Sequence, residues 1–287
     1  TSGLSVEATP VSSFYVLSKT VEAPVVSADS WRLKVGGLVQ RPFQLSYDEL
    51  LGLPRVDQWM TLRCVSNPVG GPLIGNAYWS GVPLRQLLDR AGMQPGVSAV
   101  VLKAHDTYSD SFPVERAMLD HTIVAYAMNG ELLSHNHGFP ARVLVPGLYG
   151  FKNIKWLEEV ELIAGEYAGP WQRLGWTKTA IQTTFSRIDI VRRTGERSVA
   201  AGIAFAGDRG IGAVQLRVND GQWVAGQLNI PPLSTLSWVQ WRHEFQASGQ
   251  TTVTARAIDA TGAVQEETQR GIYPDGATGW HSVSVEL

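Results

Sequence analysis

The sequence has one cysteine in 287 residues, which excludes an intramolecular disulfide and any cysteine-only metal or haem-attachment motif. It also lacks a long apolar run. No window reaches the roughly 18 apolar residues that cross a bilayer, and no charged-then-apolar leader is present. The chain opens Thr1-Ser2-Gly3 without Met and reads as a processed or trimmed fragment, so a membrane tether ahead of it stays open as an expectation. Charge of one sign is scarce as well. The formal net charge is −2 and no Lys/Arg run forms a stripe, which argues against nucleic acid as a partner. What is present is ordinary for a folded protein: 44% hydrophobic and 17% charged residues, with ten Trp for a rigid core or an aromatic-lined pocket. The length suits two domains.

The first half mixes element types in an α+β pattern. Trp31 to Val39 alternates like a strand. Leu45 to Leu51 reads as a short helix, with Ser46 as N-cap and Glu49 three residues on. Trp59 to Cys64 is a strand that runs into a loop rich in Pro and Gly. Val82 to Ala91 has helical spacing and Gly92 as its stop. Val97 to Ala104 reads as a buried strand. Ala141 to Val145 and Ile154 to Ile163 read as two strands joined by a loop, which could pair. From about Ile181 the pattern becomes strands only: Ile188 to Arg192, Val199 to Phe205, Val214 to Val218, Trp223 to Leu228, Trp238 to Phe245, Thr251 to Ile258 and His281 to Leu287. A tight turn is expected at Asn219-Asp220-Gly221-Gln222, with Asp-Gly supplying the positive φ angles. Seven short strands without a helix predict an immunoglobulin-like β-sandwich. The expected domains are 1–175 and 176–287, with the linker within 165–184.

Two clusters carry candidate chemistry. Cys64 ends a strand and opens the loop Val65 to Pro72, a place where a soft thiolate and a close-approaching glycine backbone suit a metal. A lone cysteine is more often a small buried hydrophobe. The second cluster is His135 to Arg142 followed by Lys152 to Trp156. If the two strands pair, Arg142, His137 and the lysines surround one point and form an anion cradle; otherwise they are solvated strand-end charges. His135 and His137 with Cys64 offer a zinc reading, but no His-Glu-x-x-His helix accompanies them. His-Asn-His also occurs in a nuclease motif, whose basic surroundings are missing here.

Taken in order, these segments resemble the sulfite oxidase family of molybdopterin enzymes. The resemblance runs through Phe14-Tyr15-Val16, Trp31 to Gly37, Thr61-Leu62-Arg63-Cys64, Ala125 to Glu131, His137 to Gly147 and Lys155-Trp156-Leu157. It implies a molybdopterin-binding catalytic domain followed by an immunoglobulin-like dimerisation domain, with Mo-molybdopterin as cofactor. It implies Cys64 as the thiolate on molybdenum and His137 and Arg142 on the pterin phosphate. Asn153, Ile154 and Lys155 are expected to close over the cofactor, and Phe14, Tyr15 and Val16 to touch the pterin. His105 or Asp106 falls where another pterin contact is expected.

The departures bear on substrate. Where the family's animal sulfite oxidases place arginines for a dianion, this sequence has Leu17 and Pro68-Val69. Trp176, after Trp171-Gln172-Arg173, stands where they place a catalytic tyrosine. Each lost charge-assisted bond weakens a dianion by roughly 1.5–3 kcal/mol. The resemblance therefore implies oxygen-atom transfer to or from a small molecule such as a sulfoxide or N-oxide. Sulfite oxidation is the alternative, and a non-catalytic scaffold descended from the enzyme is a further one. It also implies a separate electron-transfer partner, a homodimer, and an extracytoplasmic location.

Overall fold

The structure is a computed structural model that describes residues 2–20 and 22–287. The chain forms two compact units that interleave in sequence. One holds Phe14–Gln58 and Ala77–Ala180. The other holds the segment ending at Ser13, together with Trp59–Asn76 and Ile181–Leu287. The expected contiguous division at 175/176 therefore gives way to one in which the Cys64 segment clusters with the C-terminal strands.

The first unit begins with β1 (Arg32–Gly37), β2 (Phe43–Ser46) and helix α1 (Tyr47–Leu51). The chain leaves this unit within β3 (Val56–Arg63) and returns within β4 (Ile74–Pro83). Then follow α2 (Leu84–Ala91), β5 (Ala99–Ala104), β6 (Ser109–Pro113), α3 (Val114–Ala117), β7 (Ile123–Met128), β8 (Glu131–Leu132), β9 (Arg142–Leu144), β10 (Leu157–Ile163) and α4 (Pro170–Arg173). One sheet has the order β2-β1-β10-β5-β6, and another the order β3-β4-β7-β8 with β9 on β7. The unit is thus strand-rich, with short helices.

Local chemistry explains the helix starts. The Ser46 side chain accepts from the Glu49 N–H and the Glu49 carboxylate from the Ser46 N–H, so α1 opens with the expected capping box. In α2, Leu84, Leu87, Leu88 and Ala91 are buried on one face. Val82 and Pro83, expected in this helix, instead end β4 opposite Val124 and Ile123. Those leucines join Trp31, Leu33, Val100, Leu102, Val160 and Leu162 in one core.

The pairing of β9 with β10 that the sequence allows does not occur. β9 pairs with β7, whereas β10 lies between β1 and β5. Residues 154–156 are outside any strand because Trp156 sits at φ 52, which no strand accepts. Its buried indole donates to the His135 carbonyl, 2.7 Å away, and fixes that bend. Two isolated bonds, Val143 N–H to the Ile154 carbonyl and Leu157 N–H to the Ala141 carbonyl, both 2.9 Å, still hold the segments side by side.

The second unit carries β11 (Phe185–Thr194), β12 (Arg197–Phe205), β13 (Ile211–Val218), β14 (Val224–Ala225), β15 (Gln227–Leu228), β16 (Val239–Phe245), β17 (Gln250–Asp259) and β18 (His281–Glu286). They form two four-stranded antiparallel sheets, β11-β12-β16-β15 and β14-β13-β17-β18. Ile188, Ala200 and Trp241 of one sheet share a core with Leu216, Val253 and Ala255 of the other. The run expected as one strand over Trp223 to Leu228 is split between the sheets at Gly226. That glycine's N–H donates to the Val214 carbonyl, and an added Cβ would lie 2.8 Å from Leu216. The turn after β13 also differs from expectation. Asn219 supplies the positive φ, at 50°, and Asp220 and Gly221 do not.

Candidate functional site

Arg142, the first residue of β9, is 5% exposed in the first unit. Its Nη1 donates to the His137 carbonyl at 3.1 Å and its Nη2 to the Asn153 carbonyl at 3.0 Å. Its guanidinium lies 5.3 Å from the centre of the buried Trp79 ring. The buried Nε–H has no acceptor. Burial pushes the Arg142 pKa down to about 10, with Tyr15 acting weakly the other way. A buried guanidinium held by carbonyls, with its Nε–H left over, is a site for an anion that the protein does not itself provide.

Lys155 extends the cradle. Its Nζ donates to Ser18 Oγ at 2.6 Å and to the Asn136 carbonyl at 2.9 Å, 4.3 Å from the Trp156 ring centre. Burial, and then the Arg142 charge, lower its pKa to about 7, while Asp106 opposes them. Gly138 lets the chain pass close by. It has φ +104, and an added Cβ would sit 2.9 Å from Lys155 Cβ. The ring of Phe14 stacks on Tyr15 with centroids 5.4 Å apart, and its edge meets His137 at 5.6 Å and Trp79 at 5.9 Å. Phe14, Tyr15, His137, Arg142 and Lys155 thus come together as expected.

Other expected members of the cradle are placed differently. Val16 is 45% exposed. His105 Nδ1 pairs outward with Glu158 at 2.6 Å, so the residue that acts on Lys155 is Asp106. Ile154 is buried in the core, and its carbonyl is taken by Val143. The Asn153 side chain is consumed within the fold: Oδ1 accepts from the Val145 N–H, and Nδ2 donates to the Leu148 and Tyr149 carbonyls. Only its backbone carbonyl reaches Arg142. Lys152 is no part of the cradle, because its Nζ lies 2.7 Å from buried Asp110 and 2.6 Å from the Ser111 carbonyl. Trp176 is half-buried beyond α4, its N–H donating to the Trp171 carbonyl. Among the described residues no group of three His, Cys, Asp or Glu side chains converges, which leaves the zinc reading without a ligand set.

Sequence reasoning missed Trp79 and Ser18, and gave no separate role to Asn136 and Gly138 within the His135 to Arg142 cluster. Trp79 looks like any strand tryptophan, and a serine eighteen residues into the chain carries no signal that it meets Lys155. Gly138 was the one accessible clue, since a glycine between His137 and Phe139 suggests a close approach.

Cys64 lies in the second unit, just after β3. Its N–H donates to the Leu73 carbonyl, its own carbonyl accepts from the Asn67 N–H, and Asn67 Oδ1 accepts from the Leu73 N–H. These bonds close the loop into a rigid cup. Cys64 is half-buried, and burial pushes its thiol pKa up. The Ser66 N–H, 3.4 Å from Sγ, and the Arg63 charge pull it back. A thiol held near one N–H donor is suited to ionise when a soft cation binds it.

The anion cradle fits the phosphate of molybdopterin. The unfilled Arg142 Nε–H and the depressed Lys155 both call for an anion. Known proteins agree. The family described as the oxidoreductase molybdopterin binding domain matches residues 20–171. The sulfite oxidase of Arabidopsis thaliana is 27% identical over 97% of this chain and 88% of its own length. The uncharacterized oxidoreductase YuiH of Bacillus subtilis is 32% identical over 51% of this chain and 72% of its own. The NADH nitrate reductase of Solanum lycopersicum is 33% identical over 55% of this chain but 20% of its own. The crystal structure of the sulfane dehydrogenase SoxCD from Paracoccus pantotrophus superimposes with a TM-score of 0.80 at 23% identity, over 92% of this chain and 77% of that one, a likeness of fold. The chain is an enzyme of the oxidoreductase molybdopterin binding domain family, of the sulfite oxidase type, and its cofactor is Mo-molybdopterin.

Proposed function

We propose that this enzyme transfers an oxygen atom to or from a small uncharged molecule, a sulfoxide or an N-oxide. The carrying observation is that the arginines around the thiol loop are already engaged. Arg63 gives both Nη atoms to Thr183 and lies 4.6 Å from the centre of the Phe185 ring. Arg187 holds Asp189 at 2.6 Å, the Gly71 carbonyl and Ser5 Oγ. Leu17 and Pro68-Val69 stand where the resemblance places arginines for a dianion. Recruiting Arg187, or the Nη atoms of Arg63, to a dianion would break these bonds.

The bound metal centre supplies the two-electron change that oxygen-atom transfer needs. The chain's own residues fix and tune that centre. As the resemblance implies, the Cys64 sulfur would be its protein ligand, Arg142 and Lys155 would hold the phosphate, and Phe14 and Tyr15 would touch the pterin. Reduction of a sulfoxide consumes two electrons and two protons and releases the sulfide and water. The resemblance implies that a separate electron-transfer partner would deliver the electrons; the one cysteine of these 287 residues provides neither a cluster nor a Cys-x-x-Cys-His haem site. The two C-terminal sheets serve as an immunoglobulin-like dimerisation domain, a role tested by sedimentation of the holoenzyme. The resemblance also favours action outside the cytoplasmic membrane, which fractionation of the native organism tests.

Turnover of the molybdenum-loaded enzyme tests the substrate. Methionine sulfoxide or trimethylamine N-oxide is expected to oxidise a reduced viologen dye, with sulfite inert toward ferricyanide. Sulfite turnover without sulfoxide or N-oxide turnover would instead establish the second reading, sulfite oxidation. That reading draws on the near full-length similarity to the Arabidopsis sulfite oxidase.

A further inference from the structure

The thiol loop is seated on the C-terminal strands through two contacts within its own unit. Gly70 lies at φ +73, and a Cβ added there would fall 2.3 Å from His281 Nε2 and 2.5 Å from Cδ2. The loop backbone therefore rests on the edge of the His281 ring, and no side chain fits between them. That ring is itself fixed, because its Nδ1 accepts the Ile188 N–H at 2.9 Å. An accepting Nδ1 places the proton of the neutral imidazole on Nε2, the atom turned toward Gly70. One residue on, the Gly71 carbonyl accepts from Arg187 Nη1 at 2.8 Å. Arg187 is oriented by Asp189 through Nε at 2.6 Å and by Ser5 Oγ through Nη2 at 2.6 Å. Asp189 also accepts the Ser5 N–H at 3.0 Å.

We propose that His281 and Arg187 are positioning residues that set the Cys64 loop: the imidazole edge and the guanidinium fix Gly70 and Gly71, and through the closed loop they fix the sulfur. Both act through the backbone of the loop and neither is a ligand. The proposal rests on the reading of Cys64 as the metal's thiolate for its functional meaning. Its geometric content concerns the loop alone. A loop held at Gly70 and Gly71 and closed between Cys64 and Leu73 has little freedom at the sulfur. Releasing either contact opens the thiol to solvent before it affects the distant core.

Cys64 is the sole thiol, so its alkylation reports directly on the loop. The experiment compares iodoacetamide labelling of the 287-residue apoprotein for the parent and His281→Asn. Asparagine keeps an acceptor for the Ile188 N–H and removes the ring edge. Labelling is expected to rise roughly tenfold in the variant, with circular dichroism unchanged. In the molybdenum-loaded protein the Mo(V) electron paramagnetic resonance signal is expected to shift. Labelling within twofold of the parent in a folded variant overturns the proposal. If His281→Asn does not fold, Arg187→Lys replaces it, since it keeps the charge beside Asp189 and loses the fork that reaches Gly71. The same labelling criterion then decides. A molybdenum signal indifferent to Cys64→Ser would remove the ligand reading, and the labelling result would still stand or fall separately.

Discussion

Arg142 holds down the pKa of Lys155: its charge is the largest influence on that lysine after burial. Both cations sit against aromatic rings, Arg142 by Trp79 and Lys155 by Trp156, and both donate to backbone carbonyls. On the proposed reading, the anion that would relieve them is the cofactor phosphate.

Lys155 makes the apoprotein's stability depend on pH. Its folded pKa of about 7 lies below the unfolded value of 10.5, so between these values the unfolded chain binds the extra proton. Stability contributed by this group therefore rises as pH climbs from 7 toward 10.5 and is lowest below 7, where the buried ammonium is charged. Thermal melts of the apoprotein across that range are expected to show the rise, and Lys155→Met to flatten it. Cofactor uptake near pH 8 is expected to draw in a proton, measurable as buffer-dependent binding heat.

Arg142→Gln is expected to leave the apoprotein folded, because it removes a buried cation that has no carboxylate partner. It is expected to lower molybdenum retention at least tenfold, which corresponds to about 1.4 kcal/mol or more of lost binding. Metal analysis after gel filtration measures this, and full retention would argue against the cradle.

Asn153 and His105, paired in the sequence-based expectation as cofactor contacts, should behave oppositely. Asn153→Ala removes three side-chain hydrogen bonds that fix the 145–149 loop beneath Arg142, at a cost of about 2–4 kcal/mol. His105→Ala loses one exposed pair with Glu158, within about 1 kcal/mol, and should keep the cofactor. Denaturant melts and metal content of both variants check the contrast.

Much of this was legible in the sequence, for identifiable reasons. The α1 capping box and the leucine stripe of α2 are local signals, and both formed. The alternating strands of the second unit were legible as well. The bend at Trp156 was not, because it depends on an indole reaching the distant His135 carbonyl. The positive φ fell on Asn219 instead of Asp-Gly because turn type depends on how β13 meets β14 and β17. Asn153 was legible as a polar residue near Arg142, but which of its atoms face the cradle is set by the loop it stitches. Arg142, His137 and Lys155 were recoverable because charge kept beside buried strands is unusual. Trp79 and Ser18 look like background.

The central claim is that the lone sulfur of Cys64 binds the molybdenum. X-ray absorption at the molybdenum edge, on the loaded parent and on Cys64→Ser, tests it most directly. The parent should show one more sulfur neighbour than the variant, with the pterin sulfurs present in both. Equal sulfur counts in the two proteins would contradict the account.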